Sequence, residues 1–326
     1  MKTLLQKEFR LKRTPPVNYS EKDKCHFQED FEVLIRENHI QEYKNANIVQ
    51  LYLFHRCSLQ SAYCLTRRIS FSKKLKAYIK CFIFKKEKIN KGLWVLDQWS
   101  SGYFHWCTEV LPRIIAAREI VEDYPVLLPS TYHKVDFISE SLKALDVSVC
   151  YYDINKKVSI KKLLAPSHLQ PAQFNPLYIN KLKNSFQVNS SSESGSKNIY
   201  ISRKKAHRRK IVNEDELIQL LSTFGFSTVY MEDLSFFDQR SLMNGAQLLI
   251  SNHGAGLTNM LFMKEGSSVI ELKADADDIN NCFFNLASAL NHQYYYTINS
   301  GDSAEVQKSN IMVDLDKLKT LLNSLF

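Results

Sequence analysis

The chain contains no apolar run approaching the roughly 18 residues of a membrane span, and its first residues, MKTLLQKEFRLKRTPP, are too charged for a secretory leader. Its seven cysteines are odd in number, scattered, and never spaced C-x-x-C. That spacing argues against a structural zinc site or a disulfide framework and for a reducing, cytoplasmic setting. There is no internal repeat, no G-x-S-x-G nucleophile elbow and no Gly-Lys-Ser/Thr phosphate loop. An α/β-hydrolase and a P-loop nucleotidase are therefore set aside. What remains, at 44% apolar and 24% charged residues over 326 positions, is a soluble globular chain long enough for two domains.

Negative charge is scarce in one region. From Arg67 to Lys91 ten cations face a single anion, Glu87, and Ile69, Phe71, Leu75, Tyr78, Ile79, Phe82 and Phe84 are interleaved with them. Two readings stand for this run: a solvated face around buried residues, or a surface that docks on anionic lipid or a polyanionic acceptor. No nucleic-acid-binding motif accompanies the charge, so nucleic acid is not expected as a partner.

The serine-rich segment 189–198 reads as a loop or linker, and Pro166, Pro171 and Pro176 break regular structure before it. Two domains follow, 1–180 and 181–326. In the second, strands are expected at Asn198 to Ser202, Thr228 to Tyr230, Leu248 to Ile250 and Ser268 to Leu272. Helices lie between them, one opened by an Asn213/Glu216 capping box and stopped by Gly225, another opened by Ser235 and Asp238. This alternation implies a parallel sheet with helices on both faces. In the first, 93–96, 125–128 and 147–151 read as short buried strands and 103–120 and 135–145 as helices. Two such α/β domains facing across a cleft would place a ligand at the carboxyl ends of their strands.

The stretch LLISNHGAGLTNMLF, residues 248–262, carries the strongest functional signal. A buried strand, the turn His253-Gly254-Ala255-Gly256 and a helix with Leu257, Met260 and Leu261 at helical spacing together make an anion site. The helix N-terminus offers unpaired N–H groups, and its dipole favours negative charge. Asn259 stands where a dinucleotide fingerprint needs its third glycine, so phosphate binding of another kind is the reading.

Two further stretches supply candidate chemistry. WVLDQWSSGYFHWCTEVLPRI, residues 94–114, holds all three tryptophans, and Trp99 and Trp106 beside polar groups suit stacking on sugar. His105 and Glu109, four apart, share a helix face, and a carboxylate-oriented histidine is a competent base near neutral pH. Asp97 is a rival base. In YISRKKAHRRKIVNEDEL, residues 200–217, Arg203 directly follows a strand and Arg209 lies in the loop before a helix, where arginines could neutralise a pyrophosphate.

Taken in order, three blocks resemble glycosyltransferase family 61: Phe104-His105-Trp106 to Glu109, Pro112 and Arg113; Ser202, Arg203, Arg209, Asn213 and Glu214; and His253 to Asn259, Phe262, Met263, Gly266, Ser267 and Ile270 to Leu272. The resemblance implies a GT-B-like fold of two Rossmann-like domains, a nucleotide-sugar donor, UDP-linked, as co-substrate, a glycan or lipid-linked glycan acceptor, and inversion at the anomeric carbon. It further implies donor binding by Arg203, Arg209, His253, Gly254, Ala255, Gly256, Asn259 and Glu271, the last on the ribose, and acceptor contact by Trp99, Trp106 and Arg113. Members of the secretory pathway carry a leader or anchor, so the expectation here is a bacterial-type cytoplasmic enzyme of surface polysaccharide (capsule or O-antigen) synthesis, peripheral on the inner membrane face. No cofactor or metal is expected. Asp275-Ala276-Asp277 matches the metal-binding Asp-x-Asp pattern but falls late in the chain and is read as a loop. The alternative function is a non-catalytic nucleotide- or sugar-binding module.

Overall fold

The computed structural model describes residues 1–65, 68–121, 123–187, 197–275, 280–303, 305 and 308–326. The chain divides into two compact units, one formed by 1–9, 34–171 and 177–185, the other by 10–33, 172–176 and 186–326. This division departs from a single boundary at 180/181. That boundary falls inside the helix Pro176–Ser185, and residues 10–33 fold with the second unit although they come first. A hydrogen-bonded residue cluster fixes that exchange. Asp30 accepts from Asn281 and Asn285, and Gln173 donates to Asp30 and accepts from the buried Arg13.

The first unit is built on a mixed eight-stranded sheet. Lys157–Pro166 lies parallel to Lys86–Leu93, and Val126–Pro129 and Val149–Tyr152 extend the parallel side. On its other flank Lys157–Pro166 pairs antiparallel with the long strand Asn38–Val49, which also carries Lys2–Gln6 and the Tyr52–His55 hairpin. The antiparallel flank, and the link of only residues 153–156 between Tyr152 and Lys157, depart from a Rossmann-like winding. That winding would need a helical crossover between parallel neighbours. The strands expected at 125–128 and 147–151 form at Val126–Pro129 and Val149–Tyr152, and the helices at Tyr103 to Arg118 and Asp136–Ala144, whereas the strand expected at 93–96 runs earlier, at Lys86–Leu93, and leaves Trp94 to Leu96 outside it. Trp94, Val95, Leu96, Trp106, Val110, Leu111 and Ile114 are almost wholly buried and make the core beside the parallel strands.

The second unit has a six-stranded sheet in the order Phe226–Val229, Asn198–Ile201, Leu248–Asn252, Ser268–Ala274, Gln293–Gly301 and Ile311–Met312. The first five are parallel and the last is antiparallel. In chain order the parallel strands lie 2-1-3-4-5, so the winding reverses between Asn198–Ile201 and Leu248–Asn252. In open α/β sheets such a switch point leaves a crevice at the carboxyl ends of the two strands, which is where ligands bind. Leu217 and Leu221 of the helix Glu214–Thr223 and Leu318 and Leu322 of the helix Leu315–Asn323 pack on Tyr200, Ile250, Ile270 and Leu272.

Local signals acted unevenly. Ser235 caps its helix, accepting from the Asp238 N–H at 3.1 Å, and Gly225 adopts φ 73° to end the preceding one. Asn213, in contrast, does not cap with its side chain. Its amide bonds both backbone groups of Val313, tying the helix start to the C-terminal segment. Long-range partners won over the local box.

Candidate functional site

At the switch point Ile201 leads into Ser202 and Arg203, and Asn252 into His253 and Gly254. Arg203 is held along the loop that follows it, donating from Nε to the Arg209 carbonyl at 3.1 Å and from an Nη to the Arg208 carbonyl at 3.1 Å. Asn252 donates to that same Arg209 carbonyl at 2.9 Å, so the loop is pinned from both strands. Arg209 adopts φ 57°, the left-handed turn that presents its carbonyl inward.

The glycine is explained by this guanidinium. A Cβ on Gly254 would stand 2.2 Å from Arg203 Nη1 and 2.8 Å from its Cζ, so a side chain there would push the guanidinium off the two carbonyls that hold it. One on Gly256 would stand 2.9 Å from the Ile201 side chain. The turn is thus bare so that an arginine can lie across it, which puts positive charge at the mouth of the crevice. Burial, with Arg209 nearby, draws the Arg203 pKa down to about 10, leaving it charged at neutral pH. A bound anion would relieve that cost.

The expected helix after the turn is a 3-10 helix, Ala255–Phe262, opened by Leu257 N–H donating to the Gly254 carbonyl. Its tighter winding has poorer hydrogen-bond geometry than an α-helix, so the charge of Arg203, more than a helix dipole, makes the crevice attractive to anions. Ala255 is half-buried at its first position. Asn259 is enclosed and donates back to the Gly256 carbonyl at 3.1 Å, which assigns it to shaping the turn.

Beneath the turn lies a buried polar cluster. His253 Nδ1 bonds Glu271, whose other oxygen accepts from the Tyr294 hydroxyl. His253 Nε2 accepts from the Asn280 amide at 3.2 Å. Glu271 is fully buried with both oxygens engaged, so it supports His253 from below and is closed to ribose hydroxyls. Burial would raise its pKa, but His253, Lys273 and the Tyr294 hydroxyl outweigh that and hold it below the usual carboxylate value. Lys273, two residues on and on the same face, is also fully buried. It donates to Asn281 at 2.7 Å and stands 5.1 Å from the centre of the Phe27 ring. Sequence reasoning missed Lys273 and Tyr294, and it named Glu214 within the family blocks without giving it a role. The signal available was charge at alternate positions in Ile270-Glu271-Leu272-Lys273, which a buried strand tolerates only when each charge is paired. Glu214 accepts from both Tyr200 and Ser202, fixing the strand end from which Arg203 departs.

In the first unit, residues 103–118 form one helix whose middle, Trp106–Val110, winds as a π-turn before Leu111–Arg118 resumes the α form. Pro112 lacks the N–H an α-helix would need there, and the wider turn absorbs the loss. His105 Nδ1 bonds Glu109 Oε1 at 2.9 Å. The imidazole is partly exposed and packs at a 36° tilt against the partly exposed Trp99, ring centres 4.9 Å apart, while Glu109 is buried.

The other residues assigned to this stretch take structural places. Trp106 is fully buried and donates to Ser141 at 2.8 Å, so its ring is core and offers no face to a sugar. Arg113 is equally enclosed, donating to the Val95 and Glu109 carbonyls and lying 3.6 Å from Asp97. Asp97 accepts from Trp99 N–H and Ser100 Oγ and stands 3.3 Å from His168. Enclosed in this way, it braces the loop that carries Trp99. Burial, together with Arg113, holds His168 well below the ordinary imidazole pKa, to about 3, against the opposing pull of Asp97. Of the metal-like triplet, Asp275 accepts from the Gly301 N–H at 3.2 Å, and Asp277 lies outside the described residues.

Fold and crevice together define an α/β protein whose parallel sheet presents an arginine, laid over a bare glycine turn, at its switch point. The Glycosyltransferase 61 family model matches residues 103–270, just over half of the chain, and the chain belongs to that family. EGF domain-specific O-linked N-acetylglucosamine transferase of Mus musculus is 37% identical over 84 residues, 24% of this chain and 16% of that protein. The enzyme of the same name from Drosophila melanogaster is 35% identical over 91 residues, 27% of this chain and 17% of its own length. The matched segments thus span about a sixth of these curated relatives. No helix among the described residues is long and apolar enough to cross a membrane.

Proposed function

We propose that the protein transfers a sugar from a UDP-linked donor to a glycan or lipid-linked glycan acceptor, with inversion at the anomeric carbon and without a metal. The single observation that carries this reading is Arg203, fixed across Gly254 at the switch point of the second unit. In this reaction the acceptor oxygen bonds the anomeric carbon as the bond to the diphosphate oxygen breaks on the opposite face. Charge gathers on the departing diphosphate, and Arg203, with Arg209 beside it, is placed to stabilise it. The acceptor proton must leave in the same step. In the first unit His105 has Nδ1 committed to Glu109, so Nε2 is the nitrogen that takes it. Trp99, packed beside that imidazole, is the surface offered to a sugar ring.

The reading includes the GT-B-type division of labour that the family resemblance implies, with the donor on the second unit and acceptor chemistry on the first. A cytoplasmic setting and a role in surface polysaccharide synthesis belong to the same proposal. A second acceptor class is favoured by the relatives' names, which specify a protein domain as the group that receives N-acetylglucosamine.

The test is nucleotide binding. UDP should raise the melting temperature of the chain, since a ligand that binds only the folded state stabilises it. Arg203→Ala should weaken that binding roughly ten- to a hundredfold, the loss of one charge-assisted contact of about 1.5–3 kcal/mol. Transfer should persist in EDTA. No shift with any nucleoside diphosphate, or transfer that EDTA abolishes and Mn²⁺ restores, would overturn the reading.

A further inference from the structure

The basic run of the first unit folds into the helix Phe71–Ile83 and the strand Lys86–Leu93. The helix inverts the usual arrangement of a surface helix. Its contact with the sheet is small: Ala77 is buried against Val49 and Phe54, with Tyr78, Cys81 and the following Phe84 only partly covered. Its largest apolar side chains point away from the protein. Phe71 is 80% exposed, Phe82 71% and Ile83 70%, and Leu75 and Ile79 are each 49% exposed. At 3.6 residues per turn these five side chains fill an arc of about 120°. Lys73, Lys76 and Lys80 border that arc on one side and Lys74 on the other.

The sheet continues this surface. Val49 faces the helix, so Asn47 and Asn45, at alternate positions of the same strand, share that face. Asn47 pairs with Ser159, and Ser159 with Lys88. Asn45, Asn47, Ser159, Lys161, Lys86 and Lys88 line an open groove of about 480 Å³ on the face the helix covers in part. Lys86, Lys88 and Lys161 are all exposed there. An exposed apolar arc thus sits beside a groove of cations and amides.

We propose that this face docks on an anionic lipid bilayer. The helix lies in the plane of the interface with Phe71, Leu75, Phe82 and Ile83 among the acyl chains, and Lys86, Lys88 and Lys161 meet lipid phosphates. The charge pattern favours lipid over a second copy of the chain, because a symmetric pair would set these lysines against themselves. Insertion of an amphipathic helix gains from buried apolar area and from attraction to anionic head groups together. The proposal stands apart from the transfer reaction and survives if the donor reading fails.

The experiment is co-sedimentation of the full chain with phosphatidylcholine vesicles, pure or containing phosphatidylglycerol, at low and high salt. The chain should pellet with the anionic vesicles at low salt and dissociate as salt screens the lysines. Phe82→Asp/Ile83→Asp changes two exposed side chains, so the fold should be kept, as circular dichroism would verify. Its vesicle affinity should fall at least about tenfold, and Lys86→Ala/Lys88→Ala should cost about fivefold per lysine. The proposal fails if the chain ignores anionic vesicles, or if it binds both vesicle types alike. It fails equally if the aspartates leave binding unchanged, or if without lipid the chain self-associates through this face and the aspartates abolish that association.

Discussion

Two histidine–carboxylate pairs, one in each unit, are built on opposite plans. His105 and Glu109 lie four residues apart on one helix, and the ring keeps 28% of its side-chain surface open. His253, in the turn after Leu248–Asn252, and Glu271, on the next strand, are 7% and 0% open, with Tyr294 and Asn280 closing the remaining positions. The first pair leaves its imidazole at the surface, where the proposed transfer needs a base. The second holds a backbone turn in place. Identical side-chain chemistry therefore serves two ends, and burial decides which.

That contrast breaks down if the pairs respond alike to substitution. His105→Ala should lower transfer about 10²–10⁴-fold while leaving UDP binding and the unfolding midpoint nearly unchanged. Glu109→Gln should be milder, since it only orients the ring. A fully active His105→Ala protein would move the base elsewhere.

Glu271→Leu should act on the fold instead. It removes the acceptor of the Tyr294 hydroxyl and of His253 Nδ1, and the carboxylate charge near the buried Lys273. Breaking a buried pair from one side costs about 3–5 kcal/mol, to be read from chemical denaturation. A stable Glu271→Leu protein with lost turnover would mean that the buried pair, too, is chemical.

A change of pH sharpens the comparison further. His168 is held neutral in the fold, its pKa lowered from 6.5 to about 3. The unfolded chain therefore takes up a proton that the folded chain refuses. The stability this preserves is fully present above the unfolded value of about 6.5 and is lost as pH falls toward 3. His168→Gln should flatten the dependence of the urea midpoint on pH across that window. An unchanged slope would show that His168 titrates normally and that the brace around Asp97 is open to water.

How much of this was legible in the sequence depended on how local each signal was. His105–Glu109 followed from spacing, and Ser235, Gly225 and the strand–glycine–helix order of 248–262 were set by neighbours within a few residues. The first-unit sheet was less legible. Asn38–Val49 has no clean alternation of buried and exposed positions, and the partner that joins it to the parallel strands, Lys157–Pro166, lies more than a hundred residues away. Asp97, Trp106 and Arg113 looked like site residues because polar and aromatic groups near a motif resemble a binding surface. Only packing showed that they look inward.

The sequence by itself determined the alternation of strand and helix in the second unit, the glycines at its turn, the His105–Glu109 pair and the family. Each of these rests on chain-local geometry, on backbone permissiveness, or on residue order. Tertiary structure alone decided that Gly254 is bare to admit Arg203, that Glu271 closes on His253 and Tyr294, and that residues 10–33 belong with the second unit. It also decided that the apolar side of Phe71–Ile83 faces outward. An amphipathic pattern specifies that one helix side is apolar, but the neighbouring sheet determines which side it covers, and here Ala77, not the phenylalanines, meets it.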